Sequence, residues 1–121
     1  MEQCSIVRIA RTWIGTPYHH QASCKGVGTD CLGLVRGVYR ELYGMEPEVP
    51  PPYSADWAEA SGRETLLEAA SRHFVATAGD RMREGDVVAF RIRREACAKH
   101  LAILTSATTM IHAIETSGTV E

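Results

Sequence analysis

Gly28-Thr29-Asp30-Cys31-Leu32-Gly33-Leu34 is the stretch on which the reading of this chain turns. A glycine-bearing loop delivers a cysteine to the first turn of a helix. Leu34, Val35, Val38 and Leu42 continue that helix at spacings of one, three and four, and Gly44 ends it, so the pattern predicts a helix from Cys31 to Tyr43. Asp30, directly before Cys31, is of the residue type that caps helix N-termini. A thiol placed there lies at the positive end of the helix dipole and among backbone N–H groups without helical partners. Both favour thiolate, so this is a place where a cysteine becomes a nucleophile.

Upstream of this stretch, Ile6, Val7, Ile9, Ala10, Trp13 and Ile14 form one helical stripe over residues 3–14, with Arg8 and Arg11 outside it. Gly15-Thr16-Pro17 stops that helix. Residues 15–30 then read as a polar loop carrying Tyr18, His19, His20, Gln21, Cys24 and Lys25. Loops of this length in a compact chain tend to serve function.

Downstream, Pro47, Pro50, Pro51 and Pro52 mark an extended connector. Ser54 is placed to cap a short helix over 56–60. Leu66, Leu67, Ala70 and Phe74 predict a further helix over 63–75, with His73 at or near its surface. Glu84-Gly85-Asp86 is a turn. After it come strand-like runs at Val87–Phe90, Lys99–Leu104 and Thr108–Ile114. Helices first and a small antiparallel sheet second is the order of an α+β fold. Three strands make a thin sheet; either residues 118–121 begin another or something outside residues 1–121 completes it.

The last two runs contain His100 and His112. A hairpin centred on Ser106 sets Leu104 opposite Thr108, Ala102 opposite Met110, and His100 opposite His112. Opposed residues share a face with Cβ atoms about 5 Å apart, so the two imidazoles meet. A one-residue slip would separate them. The arrangement assigns Cys31 as nucleophile, His100 as base and then acid, and His112 as the residue that orients His100. Imidazole beside a thiol allows a thiolate–imidazolium pair between Cys31 and His100, which lowers the thiol pKa.

Composition narrows the rest. The 121 residues suit one domain spanning residues 1–121, and 45% hydrophobic content supports a core. Thirteen basic against 15 acidic residues, with no basic stripe, argue against nucleic acid. No apolar run is long enough to insert in a membrane. The first residues have neither the basic nor the apolar part of a secretory signal, so synthesis in the cytoplasm is expected. Cys4, Cys24, Cys31 and Cys97 form no C-x-x-C pair and read as reduced thiols. Cys24, Cys31, Cys97, His19, His20, His100 and His112 offer ligand types for zinc, but at none of the spacings of structural sites, so no metal and no cofactor is expected. There is no internal repeat and no low-complexity tract beyond the prolines.

Five segments carry a resemblance: Gly15-Thr16-Pro17-Tyr18, Gly28 to Leu34, Glu84 to Phe90, Lys99-His100-Leu101-Ala102-Ile103, and Met110-Ile111-His112-Ala113. In type, order and spacing they resemble the NlpC-type cell-wall peptidases, papain-like cysteine peptidases of bacteria and phages. The resemblance covers most of residues 6–115. It is nearest to short peptidases encoded with phage-like tail genes, including those of gene transfer agents, in which Leu follows the cysteine as Leu32 does here, where the wider family has Ser. The wider family also continues past the third polar residue with strands that residues 1–121 do not include.

The resemblance implies a papain-like fold, with Cys31 as nucleophile, His100 as general base and His112 as third polar residue. It implies Tyr18 lining the site and Asp30 contacting the free amine of the stem peptide; His20 is a further candidate for substrate contact. The implied reaction is hydrolysis of peptidoglycan stem peptides, commonly between γ-D-glutamate and a diamino acid. The implied setting is a tail tip, with a tail-hub or baseplate protein as partner and action in the periplasm or cell wall. Two alternatives use the same residues: an amidase or acyltransferase with the same triad, and a tail-tip plug that binds peptidoglycan or the hub without turnover.

Overall fold

The computed structural model describes residues 2–45, 74, 83–91 and 98–121. The proline connector and the two helices predicted over 56–60 and 63–75 fall outside the described residues, except Phe74.

The first helix, α1, spans Glu2–Arg11. It buries Val7 and Ala10, rests Ile6 and Ile9 on the core, and exposes Arg8 and Arg11. It stops short of the predicted residue 14. From Thr12 onward the backbone bonds run to the third residue back: Trp13 N–H to Ala10 O at 3.0 Å, Ile14 N–H to Arg11 O at 3.3 Å, Thr16 N–H to Trp13 O at 3.0 Å. This tighter turn advances more per residue than an α-helix. Trp13 therefore swings fully into the core, whereas Ile14, expected on the apolar stripe, is 50% exposed.

The segment read as an irregular loop holds a small hairpin, β1 (Ser23–Cys24) with β2 (Gly28–Thr29). Gly26, at φ +78°, supplies the left-handed residue of its turn, which closes with Val27 N–H to Cys24 O at 3.0 Å. The second helix, α2, spans Cys31–Tyr43 as predicted. Gly44 adopts the left-handed C-terminal conformation at φ +81° and donates to Arg40 O at 2.8 Å.

One face of α2 carries Gly33 and Gly37 four residues apart, and both are there for close approach. A Cβ on Gly37 would overlap the Trp13 ring, and one on Gly33 would overlap the Ala22 carbonyl oxygen. The missing side chains let Trp13 and the β1–β2 hairpin lie against the helix backbone. Leu34, Val35 and Val38 complete the buried face of α2.

The sheet consists of β3 (Val87–Arg91), β4 (Ala98–Leu104) and β5 (Met110–Ile111), antiparallel and in that order. Leu101 and Ile103 of β4, with Ile111, Ala113 and Val120, close the core against Ala10, Trp13, Leu34, Val35 and Val38. The β4–β5 register differs from the predicted one. Leu104 pairs with Met110 and Ile103 with Ile111, so the hairpin centres on Ala107 and not on Ser106. The turn itself sets this. Thr105 N–H donates to Thr109 O at 2.9 Å, and Ser106 Oγ accepts from the N–H of Thr108 and of Thr109, each at 3.1 Å, which makes a five-residue loop. The partner shift is two residues, so every side chain keeps its expected face.

Residues 118–121 do form the next pairing. Ala113 bridges Val120, and Pro17 bridges Thr119 on the other side. Val120 N–H donates to Thr16 O at 2.8 Å, Gly15 N–H to Val120 O at 2.9 Å, and Tyr18 N–H to Gly118 O at 2.7 Å. Tyr18 in turn bridges Thr29 in parallel. Hydrogen-bonded pairing thus runs from β3 through β4, β5, 118–121 and 15–18 to the β1–β2 hairpin.

Candidate active site

Cys31 opens α2, and Asp30 before it has the extended backbone of a cap (φ −102°, ψ −173°). Asp30 Oδ1 accepts from Gly33 N–H at 2.7 Å, and Oδ2 accepts from Gln21 N–H at 2.8 Å. The carboxylate is 3% exposed. One oxygen caps the helix and the other ties the preceding loop to it. Two further bonds hold the hairpin on this first turn: Ser23 Oγ–H to Gly33 O at 2.7 Å and Asp30 N–H to Ala22 O at 3.2 Å. The position of the thiol is therefore fixed from both sides. Asp30, which resemblance implies contacts a substrate amine, thus also holds the helix start and the loop before it.

The Cys31 thiol sits where α2 packs on β4. Burial pushes it up to about 11. The Leu101 backbone N–H, next to His100 in the chain, pulls it down; the Asp30 charge raises it; the N–H groups of Leu32 and Cys31 itself lower it. Burial wins, so the resting thiol is neutral. His100 moves the other way: burial, and then the charge of His112, lower it to about 4. These directions favour a neutral thiol and a neutral imidazole over a thiolate–imidazolium pair. The helix N-terminus does act on the sulfur, but removal from water outweighs it.

His100 and His112 meet. His100 Nε2 lies 3.0 Å from His112 Nδ1, with ring centroids 5.2 Å apart at 71°. Continuing the β4–β5 register puts His112 level with Ala102, so the contact is diagonal across the strand pair and not directly opposed as predicted. On the other side, Phe90 pairs directly with His100, ring centroids 6.0 Å apart, and limits the movement of that imidazole.

Tyr18 is half-buried. Its phenol is raised to about 12 by burial and then by the charges of Asp30, Cys31 and Glu115, in that order, so it shares the electrostatic environment of the thiol. His20 stands 3.9 Å from Asp30 Oδ2 through Nδ1, its side chain 38% exposed, at the rim on that side. His20 and Tyr18 gather about Asp30 and Cys31, and His112 joins His100 on β4. Among the described residues no group of three His, Cys, Asp or Glu side chains is placed to hold a metal ion, and no helix is long and apolar enough to cross a membrane.

One residue near the site escapes the sequence reading. Glu121 Oε2 lies 3.4 Å from His112 Nε2. Its only signal in the sequence is positional, since a turn at Gly118 brings residue 121 back across from residue 112, and that turn has no motif to announce it.

A family model described as NlpC/P60 matches residues 15–121. Among solved structures, that of the NlpC/p60 domain of the peptidoglycan hydrolase SagA is similar, with a TM-score of 0.73 and 21% identity, covering 100% of this chain and 87% of that one. At that identity the likeness establishes the α+β fold. No curated protein matches the chain. With the pattern extending over residues 15–121, the thiol-bearing helix and both strand histidines included, the chain belongs to the NlpC/P60 family.

Proposed function

We propose that this chain is a cysteine peptidase that hydrolyses stem peptides of bacterial peptidoglycan. The observation that carries the reading is the 3.0 Å contact between His100 and His112 on the strand whose next residue, Leu101, bonds the Cys31 thiol through its backbone N–H. That supports a reading in which His100 is a base, oriented by His112, that serves a sulfur at a helix start. Family membership and the likeness to a domain of a peptidoglycan hydrolase support the substrate class.

The chemistry follows from the resting charge state. Both groups are neutral, so His100 takes the thiol proton as sulfur attacks the scissile carbonyl. The C–S bond forms while the carbonyl π pair moves to oxygen. The backbone N–H of Cys31, at the open end of α2, faces the developing oxyanion. His100 then returns the proton to the departing amine, the C–N bond breaks, and a thioester remains. Water, deprotonated by His100, cleaves the thioester and regenerates the thiol. Asp30 contributes negative charge near the thiol, which favours a substrate carrying a free amine, and Tyr18 and His20 flank that side. The bond cut is the one between γ-D-glutamate and the diamino acid. The setting is a phage-like tail tip docked on a hub or baseplate protein, a reading that rests on the sequence resemblance.

Digestion of purified peptidoglycan, with products identified by mass spectrometry, tests the proposal. Wild type releases fragments with a new amino terminus at the diamino acid, and Cys31→Ala releases none. Intact peptidoglycan after prolonged incubation with wild type, or equal release by both proteins, would sink the peptidase reading.

A further inference from the structure

The proposed function needs His100 to present one particular nitrogen as a base, and the structure contains a group that selects it. The backbone of Glu121 forms a closed pair with His112: His112 N–H donates to Glu121 O at 2.9 Å and Glu121 N–H to His112 O at 3.0 Å. Side chains of such a pair project from the same face. The carboxylate is thereby set beside the imidazole by the backbone itself, and Oε2 lies 3.4 Å from His112 Nε2.

We infer that Glu121 is a positioning residue that fixes the tautomers of both histidines. An ionised carboxylate only accepts hydrogen bonds, so His112 Nε2 carries the hydrogen. When the His112 ring is neutral it has one hydrogen, so its Nδ1 is then bare and only accepts. His100 Nε2, 3.0 Å away, must then donate. The neutral His100 ring is left with Nδ1 as its one basic nitrogen, the nitrogen not occupied by His112. Without Glu121, His112 can hold its hydrogen on Nδ1 and donate to His100 Nε2, which moves the hydrogen of His100 to Nδ1 and removes the base. Glu121 thus works through two rings and touches neither thiol nor substrate.

Its side chain is 57% exposed, so the effect is bounded by what an exposed carboxylate–imidazole pair contributes. That corresponds to a fall in kcat of up to about five-fold, far below the loss on removing a buried triad carboxylate.

The experiment is a long-range proton–nitrogen correlation spectrum of protein labelled with ¹⁵N-histidine, recorded at pH 8 for wild type, Glu121→Leu and Glu121→Gln. These side-chain changes leave the backbone pairing in place. Wild type should show hydrogen on Nε2 of both rings. Glu121→Leu should show His100 and His112 each in a mixture of tautomers, with kcat lowered and KM unchanged. Glu121→Gln retains an oxygen acceptor and should restore part of both readouts. Hydrogen on Nδ1 of His100 in wild type, or an unaltered nitrogen pattern in Glu121→Leu, would overturn the inference. The inference rests on the peptidase reading for its purpose, but the spectrum does not depend on turnover. Expected tautomers in a wild-type protein that leaves peptidoglycan intact would count against the peptidase reading and in favour of this assignment of hydrogens.

Discussion

At the scale of the residue, the candidate site is a thiol and an imidazole, both half-buried. A thiol raised to about 11 labels slowly near neutrality and faster at every step in pH toward 11. We therefore expect the rate of Cys31 alkylation by iodoacetamide to climb through pH 9 without a plateau; a plateau below pH 7 would mean an ion pair with His100 instead. The proposed hydrolysis needs His100 unprotonated, and with its pKa near 4 the acid limb of kcat/KM should fall below pH 5 and not near 6.5. His100→Ala should lower kcat by more than His112→Ala, since the proposed mechanism has one transfer the proton and the other orient it; equal losses would mean the roles are misassigned. The types of these residues were legible in the sequence, because a cap before a cysteine is a local pattern and a spacing of twelve puts two histidines on one face of a hairpin. Their charge state was not, because burial is set by α2 resting on β4, which no local pattern states.

At the scale of the element, α2 is placed by absences on its surface. Gly37→Ala would press a methyl group into the Trp13 ring, an overpacking worth about 1–3 kcal/mol, and should lower the urea midpoint accordingly. Gly33→Ala meets the Ala22 carbonyl, which is backbone and cannot rotate away. It should displace the hairpin from the helix start and reduce hydrolysis as well as stability. Asp30→Ala leaves the N–H groups of Gly33 and Gln21 without their acceptor and should lose about 2 kcal/mol or more in urea denaturation. The span of α2 was readable from Cys31 to Gly44 because propensity, cap and stop signal agree. The end of α1 was not, because Trp13 follows the tighter turn and still lands on the apolar side. The β4–β5 register was missed by two residues, since hydroxyl groups on Ser106, Thr105 and Thr109 shape a loop that carries no Asn-Gly signal. Side-chain alternation survived the error, and that is why the pairing of the two histidines could be read from their spacing.

At the scale of the whole molecule, the low pKa of His100 links the site to stability. The folded state holds His100 neutral down to about 4, whereas an unfolded chain protonates it near 6.5. The unfolded state therefore binds more protons between these values. The stability from a neutral His100 is complete above about pH 6.5 and lost as pH falls toward 4. Urea denaturation of wild type and His100→Gln should show a smaller loss of stability across that window in the variant; parallel curves would contradict the burial of His100. Separate parts of the α+β fold were visible from sequence, but not how they close on one another. That closure lies in residues 118–121, which lie between 15–18 and 112–113. It joins positions about a hundred residues apart, the slowest kind of contact for a chain to find. During synthesis the early helices can form as they emerge, yet Tyr18 and His112 gain their common neighbour only after Glu121 has left the ribosome. A growing chain that has not yet delivered this segment lacks what holds Tyr18 and His112 together, whatever else of it has already folded.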